Sequence, residues 1–414
     1  MTFERFIAQR FMPRHGDSKG FSGPLSTIAV VGIALGVTVM VMAISILRGF
    51  QADITDKVVG FGSHLTVSNY NRIHAYVETP VAVDSTLLGA MRGTRGVRHV
   101  QCYATKGGMV KTEEQIYGII LRGLSDDYDT AFFHHSLVEG RLPAGNNEVL
   151  VSTTIANKLK LKTGDKMRTY FWQGGTEGSN TVADGTYRSR AFAISGLYNT
   201  DLTEMDERYV VGSLRQVQRL NDWDSNQVGG YELLVEDFGQ LDAVAARVLQ
   251  LLPYDLVLET VTQANPALFS WLDLLNTNIT LILAIMCLVS AVAIVSALLI
   301  MIFEKSATIG LLKALGAENR SLRRIFLIKA SRLIVWGIVM GDALALALSF
   351  AQQQWQLLRL DPESYSMSHV PVMIDPWIYL GVSAGTLAVC LLALLVPVGS
   401  ITKISPARTM RIEQ

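Results

Sequence analysis

ITLILAIMCLVSAVAIVSALLIMIF, residues 279–303, runs straight into EKSATIGLLKALGAENRSLRR, residues 304–324. The first stretch holds 25 positions without a charge. A helix of about 20 apolar residues crosses the hydrocarbon core of a bilayer, so this stretch reads as a transmembrane helix. The second returns at once to Lys and Arg, and reads as a loop in water beside the membrane. Working outward, 25–47 (LSTIAVVGIALGVTVMVMAISIL) and 377–400 (WIYLGVSAGTLAVCLLALLVPVGS) are also free of charge, and 333–350 (LIVWGIVMGDALALALSF) contains only Asp342.

Those four windows explain the composition. The chain has 414 residues, 36 basic and 36 acidic, with 50% hydrophobic and 17% charged residues and a mean hydropathy of +0.30. A charged fraction near 25% is usual for soluble domains, and outside the four windows the value rises to about 22%. Zero net charge removes a global argument for a nucleic-acid partner. Disordered, collagen-like and disulfide-scaffold classes are excluded by composition. Cys287 and Cys390 lie within spans and Cys102 stands alone, so no pair is available for an intradomain disulfide and no zinc spacing occurs. The first apolar run is too long for the core of a cleavable signal peptide and starts only at Leu25, so it is expected to stay as an anchor.

Orientation follows from the flanking charges. Arg5, Arg10, Arg14 and Lys19 precede the first span; Lys305, Lys313, Arg320, Arg323, Arg324, Lys329 and Arg332 lie in 304–332; Lys403, Arg408 and Arg411 follow the fourth. The segment 351–376 has only Arg359 against Asp361, Glu363 and Asp375. The positive-inside rule then places 1–24, 304–332 and 401–414 in the cytoplasm, with 48–278 and 351–376 outside.

The fold expected is a membrane protein of four transmembrane α-helices, with a large extracytoplasmic α+β domain inserted between the first and second. Within 48–278 the runs HLTVSNY, QIYGIILRGL, NEVLVSTTIANKLKLKTGDKMRTYF, FAISGLYNT, YVVGSL and YELLVEDF alternate apolar and polar residues and end in turn formers, as strands do. Helical patterns fall at Thr154–Leu161, Leu214–Leu220 and Leu241–Leu251. One or two lobes of mixed α+β structure fit. The stretch 172–188 (WQGGTEGSNTVADGTYR) is rich in Gly, Thr and Asn, and reads as a long hairpin or a protruding surface loop.

Catalytic chemistry is not legible. There is no G-x-x-x-x-G-K-[ST] to cradle nucleotide phosphates, and the histidines, His134 and His135 included, have no metal spacing.

Three features of the membrane part carry more information. Thr2–Met12 (TFERFIAQRFM) sets Phe3, Phe6, Ile7 and Phe11 on one helical face, which suits an interfacial helix or, failing that, a frayed tail. Ala307–Leu315 reads as a short cytoplasmic helix with Ile309, Leu312 and Leu315 as an apolar ridge, Gly316 ending it, and Asn319 or Ser321 capping the next helix. Such a ridge either meets a partner or folds back on the protein's own spans. Asp342 is costly inside a span; it reads first as snorkelling or bonded to a neighbouring helix, and second as a transport group.

These stretches resemble a known family, the LolC/LolE-type permeases of lipoprotein-releasing ABC transporters, within the wider MacB/FtsX-type superfamily. The likeness is carried by STIAVVGIALGVTVMVMAISILRGF with VVGFGSHLTV; by GRLPAGNNEVLVSTTIANKLKLKTGDKMRTYF, with Gly140, Glu148, Val149, Ala156, Leu159, Gly164 and Asp165 in place; by FAISGLYNTDLTEMDERYVVGSLRQVQRL; by IVSALLIMIFEKSATIGLLKALGAENRSLRRIF; and by VPVGSITKISPARTMR. The pattern E-K-x-x-x-I-G-x-L-K-A-L-G-A is specific to the superfamily.

The resemblance implies a bacterial inner-membrane subunit, paired with an identical or related permease over a LolD-like ABC ATPase that binds ATP and Mg. No cofactor, metal or catalytic residue is expected on this chain, and no nucleic acid. The loop helix becomes a coupling helix, with Glu304, Lys305, Ile309, Leu311, Leu312, Lys313, Leu315 and Gly316 at the ATPase. The stretch with Trp172, Gln173, Thr181 and Tyr187 takes the place of a hook that docks a LolA-like periplasmic carrier, although the family's hook carries prolines and this one has none. Asp342 stands where the family's third span is Gly-rich, and Gly337 and Gly341 keep part of that pattern.

A lipoprotein's acyl chains would enter from the membrane lipid into a cavity lined by Met40, Met42, Ile44, Leu47, Leu274, Leu275 and Ile282. ATP-driven closure would then expel them upward, at about 0.8 kcal/mol for each buried CH2. The alternative within the superfamily is a mechanotransmission permease that acts on a periplasmic partner without moving lipoproteins.

Overall fold

The computed structural model describes residues 22–70, 79–112, 115–172, 187–361, 367–395 and 397. Thr2–Met12, the tail 401–414, and Gln173 and Thr181 within the 172–188 stretch lie outside the described residues. The chain divides into two compact units: Met1–Gln51, Trp271–Arg359 and His369–Gln414 make the first, and Ala52–Ser270 with Leu360–Ser368 the second.

Five helices supply the first unit's described core: α1 (Ser22–Phe61) as far as Gln51, α2 (Pro266–Glu304) from Trp271 onward, α3 (Ser306–Ala314), α4 (Asn319–Trp355) and α5 (Pro376–Ala393). All but α3 are long and apolar enough to cross a membrane. The windows 25–47, 279–303 and 333–350 fall inside α1, α2 and α4, which overrun them, whereas 377–400 extends past the end of α5 to residues outside the described ones. Charge ends a hydropathic window without ending a helix, and no proline occurs between Pro24 and Pro80 to break α1. The segment 351–376 is likewise not a plain loop: α4 continues to Trp355, and Leu360–Ser368 belongs to the second unit.

Small residues let α1 and α4 approach closely, the usual solution where lipid removes the hydrophobic drive between helices. A Cβ at Gly341 would come within 2.7 Å of the Ala34 carbonyl oxygen. Thr38 Oγ1 uses that proximity, donating to Ala34 O at 2.7 Å and to Gly341 O at 3.1 Å. Ile33, Val37, Ile294, Leu298, Ile334 and Ile338 fill the buried interior around this crossing. At α5, Asp375 accepts from Trp377 N at 3.0 Å as the N-cap, and Pro376 takes the first turn, where its missing N–H costs nothing.

The second unit is built on strands β1 (Leu65–Asn69), β2 (Val81–Ala82), β3 (Val97–Lys111), β4 (Ile116–Leu124), β5 (Leu137–Gly140), β6 (Glu148–Ser152), β7 (Lys166–Trp172), β8 (Tyr187–Tyr198), β9 (Tyr209–Ser213), β10 (Gln227–Val228), β11 (Gly230–Val235) and β12 (Leu256–Thr260). Ten of them form one sheet in the order β12-β1-β11-β3-β4-β9-β6-β8-β5, with β7 bridging β3 and β8. The run β3-β4-β9-β6-β8-β7 therefore returns on itself as a closed ring. Val110, Leu121, Val149, Met167, Phe171 and Phe192 belong to its apolar core, which Val217 of the helix Leu214–Leu220 and Ile155 of the helix Thr153–Leu159 complete. A small closed sheet filled by side chains is a packed core and not a pore. β2 and β10 pair in a small separate sheet, and the ten-stranded sheet joins the remaining strands.

The expected strands are present. The longest, β3, lies outside those runs, because VRHVQCYATKGGMVK mixes charges with a Gly-Gly pair and reads as a turn. Its two halves serve different neighbours: β11 pairs Val97–Tyr103, while β4 and β7 flank Gly108–Val110.

Candidate functional site

The loop between α2 and α4 is a helix with two unlike faces. Ile309 is fully buried and Leu312 is partly buried, both in the first unit's own core beside Leu322 and Phe326. Leu311 is 56% and Leu315 76% exposed. The expected ridge of Ile309, Leu312 and Leu315 thus does not present itself whole: Ile309 is an anchor, and the exposed apolar pair is Leu311 with Leu315, spaced i, i+4 on one face. Gly316 ends the helix at φ +91, and Ala317 N bonds back to Leu312 O at 2.9 Å in a Schellman-type closure. The expected cap at Asn319 or Ser321 is not used. Glu318 precedes the helix, without a side-chain cap bond, and both residues lie inside α4. Glu304 and Lys305 meet at 4.0 Å at the end of α2, and Lys313 sits in the last turn of α3.

The seven residues expected to line an acyl cavity do not share one environment. Met40 and Leu47 are buried, Met42 packs against the core, and Ile44 and Leu275 are half-buried. Leu274 at 62% and Ile282 at 38% are exposed. Met40 is a core residue because the close approach of the helices encloses it; its Sδ lies 3.7 Å from Cys287 Sγ.

Asp342 accepts a hydrogen bond from Ser383 Oγ at 2.6 Å, which ties α4 to α5. Trp172 and Tyr187 pack edge to face across β7 and β8, with ring centroids 5.6 Å apart at 88°.

The α+β unit also holds charged groups that no motif marks. Arg122 Nη2 pairs with Glu232 Oε1 and donates to Tyr128 Oη at 3.2 Å. Tyr128 and Gln101 in turn donate to Glu232 Oε2 at 3.1 and 3.2 Å. Burial opposes charge on Arg122, but the neighbouring Glu232 carboxylate outweighs it and holds the guanidinium above its ordinary value. The guanidinium carbon lies 5.4 Å from the Phe61 ring centroid and 5.5 Å from that of Tyr103. The one signal available in the sequence is a lone charge in the apolar run QIYGIILRGL.

Two further groups titrate abnormally. Burial pushes Asp206 up to about 6, although it accepts from Thr200 N at 3.0 Å and Oγ1 at 2.9 Å. Burial, helped by Arg98, lowers His64 to about 4; its Nδ1 accepts from Val235 N at 3.1 Å.

Several cavities open on this unit, and two of them touch the residues just described. One of about 570 Å³ is lined by Met109, Gly118, Ile120, Tyr170, Trp172 and Tyr187 among others. The second, about 370 Å³, includes Thr66, Ile120, Arg122, Arg208, Glu232 and Glu259.

Residues 26–251 match the MacB-like periplasmic core domain family, and residues 280–406 match the FtsX-like permease C-terminal family. The chain is 22% identical to the lipoprotein-releasing system transmembrane protein LolC of Neisseria meningitidis serogroup B, with 100% of each chain covered. It is 23% identical to the LolC protein of Xylella fastidiosa over 95% of each chain. To the lipoprotein-releasing system transmembrane protein LolE of Haemophilus influenzae it is 21% identical, over 98% of each.

Proposed function

The chain belongs to the MacB-like periplasmic core domain family and is an ABC-transporter permease of the LolC/LolE type, a multi-pass protein of the bacterial inner membrane; from that premise we propose that it extracts lipoproteins from the outer leaflet and passes them to a periplasmic carrier. It works without an active site of its own. Energy comes from a LolD-like ATPase that holds ATP and Mg, docked on the cytoplasmic side where both termini also lie. A second permease, identical or related, completes the membrane part, and a LolA-like carrier receives the cargo.

The observation that carries the proposal is the division of labour on α3. Ile309 fixes the helix to the membrane bundle, so a push on Leu311 and Leu315 from below moves the bundle rather than only the loop. Exposed leucines on a segment that also exposes Arg320 and Arg324 suit a protein partner more than water does. ATP hydrolysis would thereby act against the cost of withdrawing acyl chains, about 0.8 kcal/mol for each CH2. Leu274 and Ile282 on α2 stay available to those chains, whereas Met40 and Leu47 would have to be uncovered first.

Depleting the protein in its own host should strand outer-membrane lipoproteins in the inner membrane, measured by fractionation and immunoblotting. Correct lipoprotein sorting after depletion would reject the proposal in favour of a mechanotransmission permease.

A further inference from the structure

The first half of α4 carries charge of one sign. Between Glu318 and Asp342 it holds Arg320, Arg323, Arg324, Lys329 and Arg332, and no acidic residue. The fold sorts these five by environment. Lys329 is buried, and its charge faces those of Lys305 and Glu304. Arg323 is half-buried, whereas Arg320, Arg324 and Arg332 are exposed. Arg320 and Arg324 stand in the opening turns of the helix, on the segment given above to the ATPase.

Arg332 has other neighbours. It lies about 18 Å beyond Arg320 at helical rise, and forms no hydrogen bond or ion pair among the described residues. Val335, Trp336 and Val339 follow it at i+3, i+4 and i+7, and are 47%, 62% and 52% exposed. Residues at those spacings share one face of a helix. These three lie within a span, so their face meets hydrocarbon, and a water-soluble partner has no access to it. An arginine at the base of such a face sits at headgroup depth, its stem along the helix and its guanidinium in the interface. Tryptophan one turn above it is the side chain that favours that boundary.

The molecule that fills this boundary is a phospholipid. A guanidinium fork matches a phosphate bidentately, the indole N–H is a further donor, and the two valines suit acyl chains. Charge then selects among headgroups. On a stretch with five cations and no carboxylate, the ammonium of a zwitterionic lipid finds no counter-charge, while a headgroup of net negative charge is attracted.

We infer that Arg332 and Trp336 form a binding site for an anionic phospholipid at the cytoplasmic end of the span in α4. The bound lipid fixes the depth of α4 in the bilayer, next in sequence to the helix that the ATPase pushes. The choice of leaflet rests on the orientation proposed above; the preference for a negative headgroup does not.

The test titrates the delipidated full-length permease in detergent with phosphatidylglycerol or phosphatidylcholine, and reads bound lipid by native mass spectrometry. Phosphatidylglycerol should bind more tightly. Arg332→Gln should weaken that binding about fivefold, the share of one basic residue near a charged surface. Arg320→Gln removes the same charge from a part of α4 outside the membrane, and should leave the affinity unchanged. Equal affinity for the two lipids, or an equal loss in the two variants, would overturn the site. Displacement of the lipid by inorganic phosphate would overturn it as well, in favour of a free anion. The melting temperature of Arg332→Gln should match wild type, because the side chain is exposed and unpaired. The leaflet is read separately, with Glu318→Cys in a Cys102→Ser background and a membrane-impermeant maleimide. Labelling only after the membrane is dissolved is expected. Labelling in intact spheroplasts would overturn the orientation and the leaflet, and leave the headgroup preference standing.

Discussion

Arg122 and Glu232 form an ion pair sealed within the α+β unit, their side chains 7% and 3% exposed. Tyr128 and Gln101 satisfy the rest of the carboxylate, and the Phe61 and Tyr103 rings lie close to the guanidinium. Breaking such a pair leaves an unpaired charge where water cannot reach. Glu232→Gln should therefore cost about 3–5 kcal/mol, while Arg122→Met combined with Glu232→Leu should recover most of that loss. Thermal unfolding of the purified full-length chain reads the difference; equal loss in the single and double variants would contradict it.

The crossing of α1 and α4 tolerates no added atom at Gly341. Gly341→Val forces the helices apart at a cost of about 1–3 kcal/mol, the usual range for overpacking. Gly381 is the matched control, since a Cβ added there would meet nothing within 4 Å among the described residues. Its valine variant should stay within about 0.5 kcal/mol of wild type in detergent melts.

On α3 the prediction separates folding from docking. Ile309→Ala should destabilise the chain by about 2–5 kcal/mol, as for other buried aliphatic truncations. Leu315→Asp should leave the melting temperature nearly unchanged and abolish co-purification of the ATPase, with lipoprotein release lost as well. Intact co-purification in a Leu311→Asp, Leu315→Asp double variant would remove α3 from the partner interface.

Asp206 and His64 impose opposite pH slopes on stability. Asp206, raised to about 6 when folded, contributes stability that is complete below pH 4 and is lost as pH rises through 6. His64, lowered to about 4, contributes stability present above its ordinary 6.5 and lost as pH falls through 4. Between pH 4 and 6.5 the two partly cancel. Asp206→Asn should make the protein gain stability more steeply with rising pH, and His64→Gln should do the reverse, both by unfolding midpoints across that window.

How far the sequence reaches differs by element. The spans are legible because a bilayer demands a long run without charge, a property that sums along the chain. The helix Leu214–Leu220 matches its expected bounds to the residue, its apolar period standing between clear turns. By contrast β3 is hidden, since Gly107 and Gly108 are turn residues unless β4 and β7 already flank them. The ridge on α3 is apolar as expected but is not one surface, because period alone cannot say which side a neighbouring helix covers. Likewise Met40 and Leu47 have the side chains of a cavity lining, and burial makes Met40 part of the core.

Local chemistry by itself determined that this chain carries four apolar spans, a strand-rich α+β insertion and a short helix between the second and third spans that ends at Gly316. Only the tertiary structure decided that Ile309 anchors while Leu315 is offered, that β7 closes a ring between β3 and β8, and that Arg122 finds Glu232 from 110 residues away. Hydropathy and charge belong to each residue and its near neighbours, so they survive in the linear order. Burial and pairing belong to contacts between distant segments, and exist only once the chain has folded.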